Sequence, residues 1–200
     1  MEALLRNDFT AHYGLPVCIE PNLVIQTNET YFEIEDTVTR EIALHTINGD
    51  GMARFSNPNA LAITIANYDK FVTSLPNNFQ NGRKRCDIIV CSDGRNLIFG
   101  EIKDSPNIKL HRKKAKKQLY ESLTTLMAVP QFLALTNNMT IKRCCYFNKQ
   151  TSSPAILTAT TAFNRLSLIF QDGFQMSHPA IEGHNFEFWE YLGGHTLTMT

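Results

Sequence analysis

The chain holds no run approaching the roughly 20 apolar residues that a membrane-spanning helix requires. Its start, Met1-Glu2-Ala3-Leu4-Leu5-Arg6, carries an acid early and lacks the apolar core of a signal peptide. A cytoplasmic location without membrane attachment is therefore expected. Cysteine is sparse as well. There are 5, an odd number, with no Cys-x-x-Cys and no zinc-type Cys/His spacing, which argues against a disulfide framework and against structural zinc. Cys86, Cys91, Cys144 and Cys145 stand in apolar, strand-like contexts and read as reduced, buried thiols. No internal repeat or low-complexity linker divides the chain, so its 200 residues suit one domain with a sizeable core.

What is present centres on a hairpin. Arg85-Cys86-Asp87-Ile88-Ile89-Val90 is followed by the turn-rich Ser92-Asp93-Gly94-Arg95-Asn96 and then by Phe99-Gly100-Glu101-Ile102-Lys103. A turn centred on Gly94 sets Asp87 opposite Glu101, where cross-strand neighbours are roughly 4.5–5.5 Å apart and two carboxylates can share one cation. Lys103 follows Glu101 by two and shares its face. A two-residue Asp93-Gly94 turn would instead send Asp87 to the other face. The functional reading therefore expects an odd-length loop.

Charged groups on apolar strands need compensation. A divalent metal supplies it, and a hard cation such as Mg²⁺ favours carboxylate and carbonyl oxygens. The net charge of zero also hides an asymmetry. From Arg83 to Lys117 there are eleven Lys or Arg against four Asp or Glu, whereas residues 1–82 hold four against ten. Positive charge around an acidic pair suits a polyanionic substrate. The densest part is Lys109-Leu110-His111-Arg112-Lys113-Lys114-Ala115-Lys116-Lys117-Gln118, where Ala115, Leu119, Leu123 and Leu126 follow helical spacing. Gln118 lies at the edge of that apolar face, where packing or a role in the site are both open.

These features resemble the PD-(D/E)XK nuclease superfamily over about residues 83–128. Asp87 matches the first acid and Glu101-Ile102-Lys103 the E-x-K tripeptide. The basic helix with Gln118 is similar to the helix that follows it in RecB-like members. Cys86 stands where a Pro is usual, and Ser122 stands where many members carry a Tyr. The resemblance implies a restriction-endonuclease-like α/β fold, a mixed central sheet flanked by helices. The core would span about 83–150, with elaborations at 1–82 and 151–200. It implies Mg²⁺, with Mn²⁺ as substitute, held by Asp87, Glu101 and the Ile102 carbonyl, with Lys103 orienting the attacking water. Members often add an upstream acid. Glu41 is the first candidate, followed by Glu33 and Glu35, then Glu20. Lys109, Arg112, Lys113, Lys116, Lys117 and Gln118 are candidates for contacting nucleic acid, DNA first and RNA remaining open, and double-strand cutting would favour a homodimer. A non-catalytic binding module and a partner-activated subunit are the competing readings.

The remaining elements are read coarsely. Residues 2–12 are expected to be helical, and Val17–Gln26 and Tyr31–Glu35 extended. Asp36–Thr46 is open between helix and strand. Asn59–Leu75 is expected to be helical, as are 107–128 and Ala155–Phe170. Ile141–Phe147 is expected to be a strand, and the alternation of Phe186–Tyr191 suggests an edge strand.

Overall fold

The fold is described from a computed structural model, over residues 1–37, 39, 41–47, 51–105, 107–149, 173–193 and 195–200. Its centre is a seven-stranded mixed sheet of β1 (Val24–Thr27), β5 (Ile63–Asn67), β6 (Ile88–Ser92), β7 (Asn96–Lys103), β8 (Ile141–Asn148), β10 (Glu187–Leu192) and β9 (Phe174–Met176), in that spatial order. From β1 to β7 the pairing is antiparallel. The β7–β8 and β8–β10 pairs are parallel, and β9 closes the sheet antiparallel to β10. A second, four-stranded sheet has the order β11 (Thr196–Thr198), β4 (Ala53–Ser56), β2 (Tyr31–Asp36), β3 (Ile42–His45).

Both faces of the central sheet are covered, which is why β6 and β7 read as nearly continuous apolar runs. On one face lie α1 (a π-helical Leu4–Phe9 continued by Thr10–His12), α2 (Tyr68–Ser74), α3 (Asn77–Gln80), α4 (Ile108–Met127) and α5 (Pro130–Asn137). Phe9, Phe71, Leu119, Leu123 and Phe132 from these helices pack with Ile89, Leu97, Phe99 and Phe188. Against the other face the second sheet packs Phe32, Ile34, Phe55 and Leu197 on Ile65, Ile88, Val90, Ile98 and Phe147. The chain is thus α/β, with a mixed sheet layered between helices and a smaller sheet.

The motif hairpin has the register that a turn at Gly94 dictates. Ile88 pairs with Gly100, Ile89 with Phe99 and Val90 with Ile98. The loop Asp93–Arg95 is odd in length, with Gly94 at φ +63°, a conformation that glycine adopts without a Cβ penalty. Ser92 Oγ accepts the Asn96 N–H at 3.1 Å and closes the turn.

Several expectations are corrected. Asn59–Leu75 is not one helix: Ile63, Ile65 and Ala66 are buried in β5, paired with β6, and the helix begins only at Tyr68, where Asn67 Oδ1 accepts the Lys70 N–H at 2.9 Å. Cross-strand burial of β-branched residues there outweighs the helical spacing. Phe186–Tyr191 is not an edge strand, because β10 lies between β8 and β9. Asp36–Thr46 resolves into the end of β2 and the strand β3, and Val17–Gln26 is a strand only from Val24. Helix 107–128 is α4, capped by Asn107, and strand Ile141–Phe147 is β8. The expected helix Ala155–Phe170 lies outside the described residues. Short α6 (Pro179–Glu182) precedes β10.

Candidate active site

At the end of β7 the strand's alternation brings Glu101 and Lys103 onto the helix-covered face, with Asp87 on the same face just before β6. Asp87 is fixed from three sides. Its N–H donates to the Gly100 carbonyl at 3.0 Å. Its carbonyl accepts the N–H groups of Tyr68 and Asp69 at 2.9 and 3.2 Å, at the start of α2. Its side-chain Oδ2 accepts the Ile102 N–H at 2.6 Å and the Lys103 ammonium at 3.3 Å. A strand residue's N–H and C=O point to the same side, so the Ile102 carbonyl also faces the Asp87 side. Next to the two acids, Gly100 allows close packing on the opposite face of the sheet: a Cβ there would stand 2.7 Å from Ile88 Cγ1.

Glu101 is wholly buried, and Asp87 is 8% exposed. Lys103 Nζ stands 2.8 Å from Glu101 Oε1, yet neither Glu101 oxygen accepts a well-formed hydrogen bond among the described residues. Burial raises the pKa of Asp87 above the ordinary carboxylate range, with Lys103 and the Ile102 N–H opposing. Burial and then the Asp87 charge push Glu101 well above it. For Lys103 burial works against the charged form, but the charges of Glu101 and Asp87 outweigh it and its pKa rises. The trio is one buried cation balancing two buried carboxylates, each disfavoured unless the others are present.

Helix α4 aligns the approach to Asp87. Gln118 Nε2 donates to the Arg85 carbonyl at 2.9 Å, Glu121 accepts the Lys84 N–H at 2.8 Å, and Ser122 Oγ accepts the Cys86 N–H at 2.8 Å. These positions are three and four apart, on one helix face. Gln118 thus reaches the protein's own backbone. Arg85 is itself engaged, its Nε 2.5 Å from Asp69 Oδ1.

The remaining basic candidates divide. Lys109, Lys113 and Lys117 are exposed. Lys116 Nζ lies 5.0 Å from the centre of the Phe188 ring, and Arg112 Nε is 2.5 Å from Glu190 Oε1. Glu41 is not brought to the trio. Its carboxylate, half exposed, pairs with Lys70 at 2.8 Å, beside Glu20. Glu33 is bound within the second sheet by Arg54 and the Gly51 N–H, and Glu35 by His45. The upstream acid whose charge acts on both Glu101 and Lys103 is Asp36, at the end of β2. Its signal in the sequence is the series Phe32, Ile34, Asp36, which puts an acid where the strand's core-facing alternation runs out.

Parallel pairing extends the polar row. Glu101 is opposite Tyr146, and Tyr146 is opposite Glu190; Lys103 is opposite Asn148. Tyr146 is buried and burial pushes its hydroxyl up to about 12, so it stays protonated at neutral pH.

Among the described residues no group of three or more His, Cys, Asp or Glu is arranged to hold a metal ion. The donors at the trio are two carboxylates and the Ile102 carbonyl, all oxygens, which suit Mg²⁺ or Mn²⁺. Glu101 Oε1 meets the Lys103 ammonium and the buried Oε2 has no partner among the described residues, an arrangement that fits a further cation. Also among the described residues, no helix is long and apolar enough to cross a membrane. Comparison of the chain with protein-family models, with curated proteins and with solved structures gives no match.

Proposed function

We propose that this chain is a metal-dependent nuclease that hydrolyses phosphodiester bonds, with a site of the PD-(D/E)XK type and DNA as its first expected substrate. The observation that carries the reading is the convergence of Asp87, Glu101 and Lys103 at one strand end, two buried carboxylates around one ammonium, beneath a helix rich in exposed lysines. A structural ion pair needs one acid per base, and the second buried acid asks for a further positive charge.

Asp87, Glu101 and the Ile102 carbonyl would hold Mg²⁺, which when bound lowers the pKa of a water and offsets charge on the phosphoryl group and leaving oxygen. Lys103 would orient the attacking water and stabilise the charge that develops on the phosphate. Asp36 would add negative charge to the same site. Lys109, Lys113 and Lys117 would hold the backbone, which positions a substrate without reading its sequence. A homodimer and a cytoplasmic setting belong to the same reading.

The test is incubation of plasmid, linear duplex, single-stranded DNA and RNA with Mg²⁺, Mn²⁺ or EDTA, with Glu101→Ala alongside. Metal-dependent cutting by the natural chain alone is the expected result. Complete burial of Glu101 favours one second reading, a subunit whose site opens when a partner binds. Cutting that arises only with a partner present would favour that reading, and salt-sensitive binding without cutting under any metal would leave a binding module.

A further inference from the structure

We propose that Arg112, held by Glu190, is the contact for a second backbone phosphate, next to the one reacting at Glu101 and Lys103; this rests on the nuclease reading. Glu190 is an unusual residue for β10. Its side chain is 2% exposed on the face that carries Phe188, and its described partner is Arg112, Nε to Oε1 at 2.5 Å. Among the described residues the other basic residues of α4 reach no buried acid. Lys109, Lys113 and Lys114 are exposed, and Lys117 lies 3.7 Å from the surface residue Glu121. A carboxylate enclosed in this way is costly to bury, and its effect is to hold one guanidinium in one place.

That place is adjacent to the trio. Glu190 is two strands from Glu101, roughly 10 Å at ordinary strand spacing, with Tyr146 between them in register. The charges of Lys103 and Arg112 both act on the Tyr146 hydroxyl, on the strand between those that carry Glu101 and Glu190. Arg112 remains 34% exposed. Its contact with Glu190 is through Nε, and a guanidinium has five N–H donors, so among the described residues its terminal nitrogens are left for a phosphate, which they match as a fork. Lys103 at the reacting phosphate and Arg112 beyond Tyr146 give the nucleic-acid strand a direction across the sheet. Glu190 is then a positioning residue, supplied by the C-terminal part of the chain.

The test is anisotropy of labelled 12-nucleotide single-stranded and duplex DNA and RNA over a salt series in EDTA, with steady-state cleavage in Mg²⁺. Arg112→Ala alone would strand a buried carboxylate, so the informative variant is the double Arg112→Met/Glu190→Leu, which removes both charges and keeps the volume. Lys142→Ala, at the far end of β8, controls for loss of one charge. The double variant should bind about tenfold more weakly, lose about one unit of the salt slope, and raise KM more than it lowers kcat, at near-natural Tm. Arg112→Lys should keep the slope and lose affinity. A double variant with natural affinity and slope, in a protein that binds and cuts, overturns this inference alone and leaves the pair as a tie between α4 and β10. A natural chain that neither binds nor cuts any of these substrates overturns the nuclease reading, and this inference with it.

Discussion

Asp87 Oδ2 accepts the backbone N–H of Ile102 at 2.6 Å, so the first carboxylate is tied to the strand that carries the second. The tie separates two kinds of damage. Asp87→Asn keeps an oxygen for the Ile102 N–H but loses the charge, and should cost cleavage a hundredfold or more, on the order expected for losing a principal electrostatic group. Asp87→Ala should be equally inactive and also less stable by about 1–3 kcal/mol, from an unsatisfied buried N–H. Cleavage rates beside melting curves would distinguish them. Nucleic-acid affinity should hold or rise in both variants, since an acid near a phosphate is removed. Natural activity in Asp87→Asn would refute the metal site.

Lys103 is the one cation between two buried acids. Lys103→Met should lower kcat by about a hundredfold with little change in KM, because its proposed partners are the attacking water and the transition-state charge. A variant that raised KM and kept kcat would make Lys103 a binding residue instead. The melting temperature should fall as well, since Glu101 and Asp87 would be left buried without their counter-charge.

Glu101 gives a pH signature. Its pKa is raised in the folded chain, so between the ordinary value near 4.5 and its folded value the native state binds more protons than the unfolded one. The slope of unfolding free energy with pH is then negative, and the natural chain in EDTA loses stability as pH rises through that window. Glu101→Gln abolishes this contribution. The variant should gain on the natural chain as pH rises, by about 2–4 °C in Tm for each kcal/mol recovered. Melting at pH 5 and pH 8 measures it. Curves that stay parallel for the two proteins would mean that Glu101 is ionised in the fold throughout.

The hairpin was legible because register, turn length and face are all local consequences of period 2 and of Gly94. The trio follows from them: once Ile88 pairs with Gly100, Asp87 can only face Glu101. Long-range choices were not legible in this way. Ile63–Asn67 has spacing compatible with a helix, and its partners β1 and β6, each more than twenty residues away, make it a strand. The alternation Phe32, Ile34, Asp36 gives the face of Asp36, but that its charge acts on Glu101 and Lys103 depends on how one sheet packs on another, which no local pattern encodes. Glu190 reads as one polar position in an alternating tail until the parallel pairing with β8 places it opposite Tyr146. Glu41 failed as the upstream candidate for a related reason. Its segment continues into β3, and its carboxylate finds Lys70.

Gln118 and the lysines of α4 offer the sharpest separation of architecture from binding. Gln118 donates to the Arg85 carbonyl and Ser122 accepts from the Cys86 N–H, so together they set the angle at which the chain enters Asp87. Neither bond involves a group that a substrate would touch. Ser122→Ala should lower stability by about 1–3 kcal/mol through a buried backbone N–H left unpaired, and Gln118→Ala by less, because the Arg85 carbonyl is only partly buried. Cleavage should fall with them through displacement of Asp87, while DNA affinity and its salt slope stay natural. Lys113→Ala should do the reverse, because the role proposed for its exposed ammonium is to hold a phosphate: the slope should fall by about one unit and Tm should not move. A Gln118→Ala protein with natural Tm and a reduced slope would reassign the glutamine to the substrate, and the grip of α4 on residues 84–86 would then rest on Glu121 and Ser122.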